Sequence, residues 1–122
     1  MKTPKVIQNW ANTIAKRNPK LQLSLYCNDA VLVPTYGVIA KGKAKILPYF
    51  NMFLDKPNLK CEIVYNETID LCCGMKLHNG YYSFDFTNED GVEDNVLARY
   101  TFVTNKRGLI VTQHSSEQPI VE

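Results

Sequence analysis

The chain has nothing close to the roughly 18 consecutive apolar residues that a helix needs to cross a bilayer, so no membrane span is expected. Its first stretch, MKTPKVIQNWANTIAKRN, has no uninterrupted apolar core and does not read as a secretory signal. A cytoplasmic location is the expectation. Charge of one sign is scarce too. The net charge is +2, and the lysines and arginines are scattered, with no stripe interleaved with aromatics; this argues against a nucleic-acid groove. Cysteine is limited to Cys27, Cys61, Cys72 and Cys73, without a CxxC pair. The Cys-Cys-Gly run followed by His78 lacks zinc-site spacing, and reduced thiols are expected. Phosphate-binding glycine loops, an HExxH helix, a G-x-S-x-G elbow and a glycosidase-type carboxylate pair are all missing. Neither metal nor cofactor is expected. There is no linker, repeat or low-complexity segment either, so a single domain over residues 1–122 is expected.

What is present is the material for one core. Of 122 residues 45% are hydrophobic, with seven Tyr, five Phe and one Trp. Thr3 followed by Pro4 reads as an N-cap with proline at N1, and Val6, Ile7, Trp10, Ala11 and Ile14 form a one-sided helical face. Asn18-Pro19 repeats the start signal, although Leu21, Leu23 and Leu25 fit a strand as well as a short helix. A short buried strand is expected at 30–34. From Lys43, Ile46, Tyr49, Phe50, Phe53 and Leu54 recur at helical spacing, which expects Pro48 near the first turn. Beyond Pro57 the pattern is β, with strands expected at 60–69, 75–87, 95–104 and 109–116. Two turns compete within it: Asn79-Gly80, a strong hairpin signal, and Leu71–Gly74. The NEDGVED run at 88–94 lacks the spacing and closing glutamate of an EF-hand loop and reads as a solvated turn. Helices first and antiparallel strands after give an α+β fold.

The last hairpin concentrates the candidate chemistry. With Lys106 and Arg107 at its tip, Leu97 falls opposite Ser116, Arg99 opposite His114, Thr101 opposite Thr112 and Val103 opposite Ile110, all on one face. The other face carries Ala98, Tyr100 and Phe102 with Ser115, Gln113 and Val111, and Leu109 and Val111 are expected to pack on a neighbouring layer. His114 and Ser115 therefore point apart, which argues against a nucleophilic Ser–His pair. The polar end of LIVTQHSSEQP is left as a reactive or binding group, a solvated edge or a structural closure.

Five segments in order, LYCNDAVLVPT (25–35), ILPYFNMFL (46–54), GYYSFDF (80–86), ARYTFV (98–103) and HSSEQP (114–119), resemble the nuclear transport factor 2-like (SnoaL-like) superfamily and, within it, the SgcJ/EcaC branch. The resemblance implies a cone-shaped, cystatin-like fold in which a curved antiparallel sheet wraps an N-terminal helix around a pocket. It favours a helix at 19–26 and the turn at 72–74, with Gly80 inside a strand. That branch is related to the calcium/calmodulin-dependent protein kinase II association domain, whose relatives form dimers and larger rings and hold arginines that accept small carboxylates. The implication is a homodimer or higher oligomer binding a small anionic ligand, with Arg99, Tyr82, Ser115 and Thr101 as ligand contacts. The LVPT, YF and HSS segments are also similar to iota-class carbonic anhydrases, some of which act without metal. That similarity implies Thr35, Tyr49, His114 and Ser116 as catalytic candidates, with Ser115 in play if the register differs. Gln113 stands where those enzymes have the first histidine of HHSS. Ligand binder, metal-independent lyase and pure association module are the three readings that follow.

Overall fold

A computed structural model describes residues 3–119. Its elements run α1 (Lys5–Ile14), α2 (Pro19–Leu23), β1 (Tyr26–Val33), β2 (Ala40–Lys41), α3 (Lys43–Phe53), β3 (Lys60–Asp70), β4 (Lys76–Thr87), β5 (Glu93–Thr104) and β6 (Ile110–Glu117), with a 3-10 turn at Cys72–Gly74 between β3 and β4. The six strands form one curved sheet in the order β2-β1-β6-β5-β4-β3. Every neighbouring pair is antiparallel except β1 and β6.

The helices cover one face of this sheet. Ile7, Trp10, Ala11 and Ile14 of α1 are buried against it, as their spacing requires. Trp10 stacks on Tyr82 with ring centroids 5.4 Å apart and meets Phe102 edge-on at 5.3 Å. Burial of such side chains contributes about 1.5–3 kcal/mol each. Arg17 joins α1 to α3: its Nε donates to the Leu54 carbonyl and its guanidinium to that of Asp55, both at 2.9 Å. These carbonyls follow the last turn of α3, where orphan acceptors need a donor.

The helix starts differ in detail from the sequence expectation. Pro4, not Thr3, is the N-cap of α1, and it receives no side-chain bond. Asn18 does cap α2, accepting from the Leu21 amide at 3.1 Å, but this helix ends at Leu23 and β1 begins at Tyr26, earlier than expected. Pro48 sits inside α3 rather than in its first turn. It lies on the solvent side, as does Ala44, whose carbonyl loses its donor.

Gly80 lies within β4, and the reversal is at Cys72–Gly74, where Cys73 (φ 61°) and Gly74 (φ 79°) both adopt left-handed backbone. A Cβ at position 80 would stand 1.9 Å from the Tyr65 carbonyl oxygen and 2.6 Å from the Tyr100 hydroxyl. The glycine at 80 therefore serves a close approach of β3 and Tyr100, not a turn.

From Thr112 to Ser116 the last hairpin keeps the expected faces, but its pairing shifts by two residues and Ile110 changes face. Arg99 lies opposite Ser116, Thr101 opposite His114, Val103 opposite Thr112 and Thr104 opposite Ile110. The cause is an irregularity after Val103 together with a turn in which Asn105 Oδ1 accepts from the Arg107 and Leu109 amides at 2.9 and 3.1 Å. The bulge turns Ile110 inward, fully buried, in the place the sequence reading assigned to Leu109 and Val111.

Candidate functional site

The concave, helix-covered face of the sheet encloses a cavity of about 310 Å³. Its walls are aromatic: Trp10 from α1, Tyr49 and Phe53 from α3, Tyr82, Phe84 and Phe86 from β4. The rings brace one another, Tyr49 stacking on Phe53 at 5.6 Å and Tyr82 tilting onto Phe84 at 4.7 Å. Besides the tyrosine hydroxyls, the uncharged polar groups are Gln113 and Ser115 of β6 and Thr35 beyond β1. The charged lining residues, Lys56 and Glu117, stand at the mouth with Tyr36 and Met52. Lys56 Nζ lies 4.5 Å from the centre of the Phe86 ring, and Glu117 accepts a hydrogen bond from the Tyr36 hydroxyl.

The polar side chains form one chain of hydrogen bonds. Trp10 Nε1 donates to the Tyr26 hydroxyl at 2.9 Å, and Tyr26 donates to Gln113 Oε1. Gln113 Nε2 donates to the Tyr82 hydroxyl at 3.3 Å, and Tyr82 donates to Ser115 Oγ at 2.6 Å. Thr35 Oγ1 lies 3.3 Å from Ser115 Oγ. An indole N–H can only donate, so Trp10 fixes the direction of every later bond: Tyr26 must pass its proton on, and Gln113 must turn its amide nitrogen toward Tyr82. The chain therefore ends at the Ser115 and Thr35 hydroxyls in the cavity wall. Aligned bonds polarise one another, which strengthens the last bond of the chain.

The tyrosines of the cavity do not carry protons near neutral pH. Burial holds the Tyr26 and Tyr82 hydroxyls well above the ordinary tyrosine range and pushes Tyr49 up to about 12. No imidazole lines it. Among the described residues, no three His, Cys, Asp or Glu side chains converge as metal ligands.

The sheet divides the residues that sequence reasoning grouped together. Thr35, Tyr49, Tyr82 and Ser115 line the cavity. Arg99, Thr101, His114 and Ser116 lie on the opposite face, in an open depression of about 420 Å³ that they share with Tyr65, Glu67 and Tyr81. There Arg99 Nε donates to Ser116 Oγ at 3.2 Å, and Thr101 Oγ1 donates to Asn79 Oδ1 at 2.7 Å. The histidine and second serine that the lyase resemblance assigned to a reaction centre thus face away from the cavity. The inward members of the QHSS run are Gln113 and Ser115, and Gln113 is the position where the similar enzymes have a histidine. Sequence reasoning did not single out Tyr26, Trp10 or Gln113 as site residues. The signal for Gln113 was available, since it shares a face with Ala98, Tyr100 and Phe102.

A second buried polar cluster lies farther along the same face of the sheet. His78 is fully buried, with Nδ1 2.9 Å from Thr68 Oγ1 and Nε2 3.0 Å from Thr104 Oγ1. Asn66 extends it by donating to Thr68 at 2.9 Å and accepting from the Tyr100 hydroxyl at 2.6 Å. Burial, with a smaller contribution from Lys76, lowers the His78 pKa and keeps the ring neutral. Cys72 and Cys73 are exposed on the turn, apart from this histidine.

No protein-family model matches the sequence, and no curated protein matches it. Solved structures do. A protein from Xanthomonas campestris, provisionally assigned as a calcium/calmodulin dependent protein kinase II association domain, is 37% identical over 95% of this chain and 85% of its own, with a TM-score of 0.86. A nuclear transport factor 2-like superfamily protein from Salmonella enterica serovar Typhimurium is 16% identical over 97% of this chain and 89% of its own, with a TM-score of 0.83. A protein with a cystatin-like fold from Caulobacter vibrioides is 19% identical over 93% and 85%, with a TM-score of 0.78. The last two show likeness of fold alone.

Proposed function

Since this chain belongs to the nuclear transport factor 2-like (SnoaL-like) superfamily, among the proteins similar to the calcium/calmodulin dependent protein kinase II association domain, we propose that it is a small-molecule-binding protein. Its ligand has an apolar body and one hydrogen-bond acceptor, a carbonyl or a carboxylic acid. The observation that carries this is the directed chain from Trp10 to Ser115, which brings a polarised hydroxyl to the wall of a predominantly aromatic cavity whose charged residues, Lys56 and Glu117, stand at its mouth. At about 310 Å³ the cavity lies at the small end for ligand pockets, which suits a compact, single-ring molecule. With Arg99 on the other face and Lys56 at the mouth, an acceptor at Ser115 meets no guanidinium, which favours an uncharged acceptor over a carboxylate there.

The test uses acetophenone, with ethylbenzene as the isostere lacking the acceptor, followed by amide chemical shifts and thermal shift. A ligand at a hundred times its Kd stabilises by about 2.7 kcal/mol. Acetophenone is expected to perturb amides at Ser115, Tyr82 and Tyr49, to bind more tightly than ethylbenzene, and to lose that preference in Ser115→Ala. Shifts confined to the outer face, or no shift at 10 mM of either probe (roughly a hundredfold above a sub-millimolar Kd), would refute the reading.

Self-association through the outer sheet face is a second reading. It is favoured by Val64, Tyr65 and Tyr81, exposed by 58%, 47% and 37% on the face opposite the helices. The likeness to an association domain supports it. The exposed, unpaired Cys72 and Cys73 suit a reducing compartment, and the cytoplasm is the proposed location.

A further inference from the structure

The mouth of the cavity carries a cation that the chain leaves without an acid. Lys56 is half-buried in the cavity wall, and among the described residues the ion pair formed is Lys76 with Asp70, elsewhere. Glu117, the acid at the same mouth, is exposed and accepts from the Tyr36 hydroxyl instead. The backbone on both sides of Lys56 is held in place. Arg17 donates to the Asp55 carbonyl at 2.9 Å, and the Pro57 carbonyl accepts from the Thr87 amide, beside Phe86, at 2.9 Å. The ammonium stands 4.5 Å from the centre of the Phe86 ring, and that ring occupies only one side of a group with three N–H donors. Phe86 also sets the distance to the other polar end of the cavity. It lies four residues along β4 from Tyr82, whose hydroxyl donates to Ser115, so the two strand positions are roughly 13 Å apart at about 3.3 Å per residue. Phe84, between them in the same wall, keeps the intervening surface apolar.

We propose that the ligand carries a second polar group, an anion, at the end opposite its Ser115-bound acceptor, and that Lys56 is the residue that selects it. The proposal rests on the ligand-binding reading above and adds a substrate class: a single aromatic ring with a carbonyl at one end and a carboxylate para to it. Two hydrogen bonds of about 2.9 Å leave on the order of 7 Å between the polar atoms of a ligand that bridges the two ends, the span of a para-disubstituted benzene. The mouth suits the anion for an energetic reason. There it keeps part of its hydration while gaining a charge-assisted bond, whereas at Ser115 it would be desolvated without a cation. A cationic group has less to gain, because the Glu117 carboxylate is solvated and already accepts from Tyr36. A charge recognised at the entry also orients the ligand, with its carbonyl leading inward.

Amide-shift titrations with acetophenone, para-acetylbenzoate, ortho-acetylbenzoate and para-(aminomethyl)acetophenone test this, since they compare neutral, anionic and cationic forms of one ring. Para-acetylbenzoate is expected to bind wild type about tenfold more tightly than acetophenone, as one charge-assisted bond at a partly open site allows. In Lys56→Met, which keeps an apolar stem over Phe86, that advantage should shrink to within about twofold while acetophenone binds as in wild type. Ortho-acetylbenzoate, whose carboxylate sits beside the carbonyl and away from the mouth, should show no advantage. A para anion no tighter than acetophenone, a tighter cation, an equal gain for the ortho isomer, or an advantage that survives Lys56→Met each overturns the proposal. Acetophenone shifts at Ser115, Tyr82 and Tyr49 then leave the ligand-binding reading intact. Absence of cavity shifts with all four probes at about 10 mM removes both. Thermal melts establish that Lys56→Met is folded.

Discussion

Replacing Gln113 by leucine breaks the buried chain at its middle with little change of volume. Gln113 accepts from Tyr26 and donates to Tyr82, and both it and its partners are buried. In Gln113→Leu the Tyr82 hydroxyl still donates to Ser115, but the Tyr26 hydroxyl proton has no acceptor. One buried orphan donor costs about 1–3 kcal/mol. For 122 residues at about 2.1 cal/mol/K of unfolding entropy each, a loss of 2 kcal/mol lowers Tm by about 8 °C. Tyr26→Phe is expected to be worse, because it orphans both the Trp10 N–H and Gln113 Oε1. The combination Tyr26→Phe/Gln113→Leu orphans the Trp10 N–H alone. It should therefore be no less stable than Tyr26→Phe, a coupling at least as large as the Gln113→Leu loss, about 1–3 kcal/mol, that independent sites do not show. Urea denaturation of the four proteins, followed by tryptophan fluorescence and circular dichroism, measures it. Additive losses, or a Gln113→Leu loss below about 0.5 kcal/mol, would refute the claim that these groups act as one directed chain.

Two further outcomes rest on the rest of the sheet. Burial lowers the pKa of His78 in the folded state, so the unfolded chain takes up its proton first as pH falls. Stability from this residue is complete above about pH 6.5 and is lost as pH drops through the depressed folded value. Urea midpoints at pH 7.5 and 5.5 should fall less in His78→Asn than in wild type, and equal falls in both would contradict the assignment. Gly80→Ala places a methyl 1.9 Å from the Tyr65 carbonyl oxygen and 2.6 Å from the Tyr100 hydroxyl. Backbone must move, and a loss above about 3 kcal/mol or a failure to fold is expected, against about 0.5–1 kcal/mol gained where glycine is merely flexible.

How far the sequence could be read is clearest in Gln113-His114-Ser115-Ser116. Strand alternation sorted these four correctly into two sets, because a period of two survives a register error of two residues. The error itself was not legible: it comes from the bulge after Val103, set by backbone geometry in a turn whose residues fit more than one loop length. Which set faces inward was legible but had to be read from the partner strand. Ala98, Tyr100 and Phe102 are the residues a helix can cover, whereas Arg99 and Thr101 are not, so the covered face is the one with Gln113 and Ser115. Family likeness pulled the other way, since His114 and Ser116 match a motif by letter and not by side of the sheet. Tyr26 was illegible for another reason: a tyrosine opening a strand has no local pattern marking it as the link between Trp10 and β6, a contact 87 residues apart in sequence. The consequence reaches the chemistry. An inward histidine could carry a proton at neutral pH, but an inward glutamine can only relay orientation. The QHSS run therefore supplies a fixed donor to the cavity and leaves its titratable side chain, with Arg99, for whatever packs on the other face.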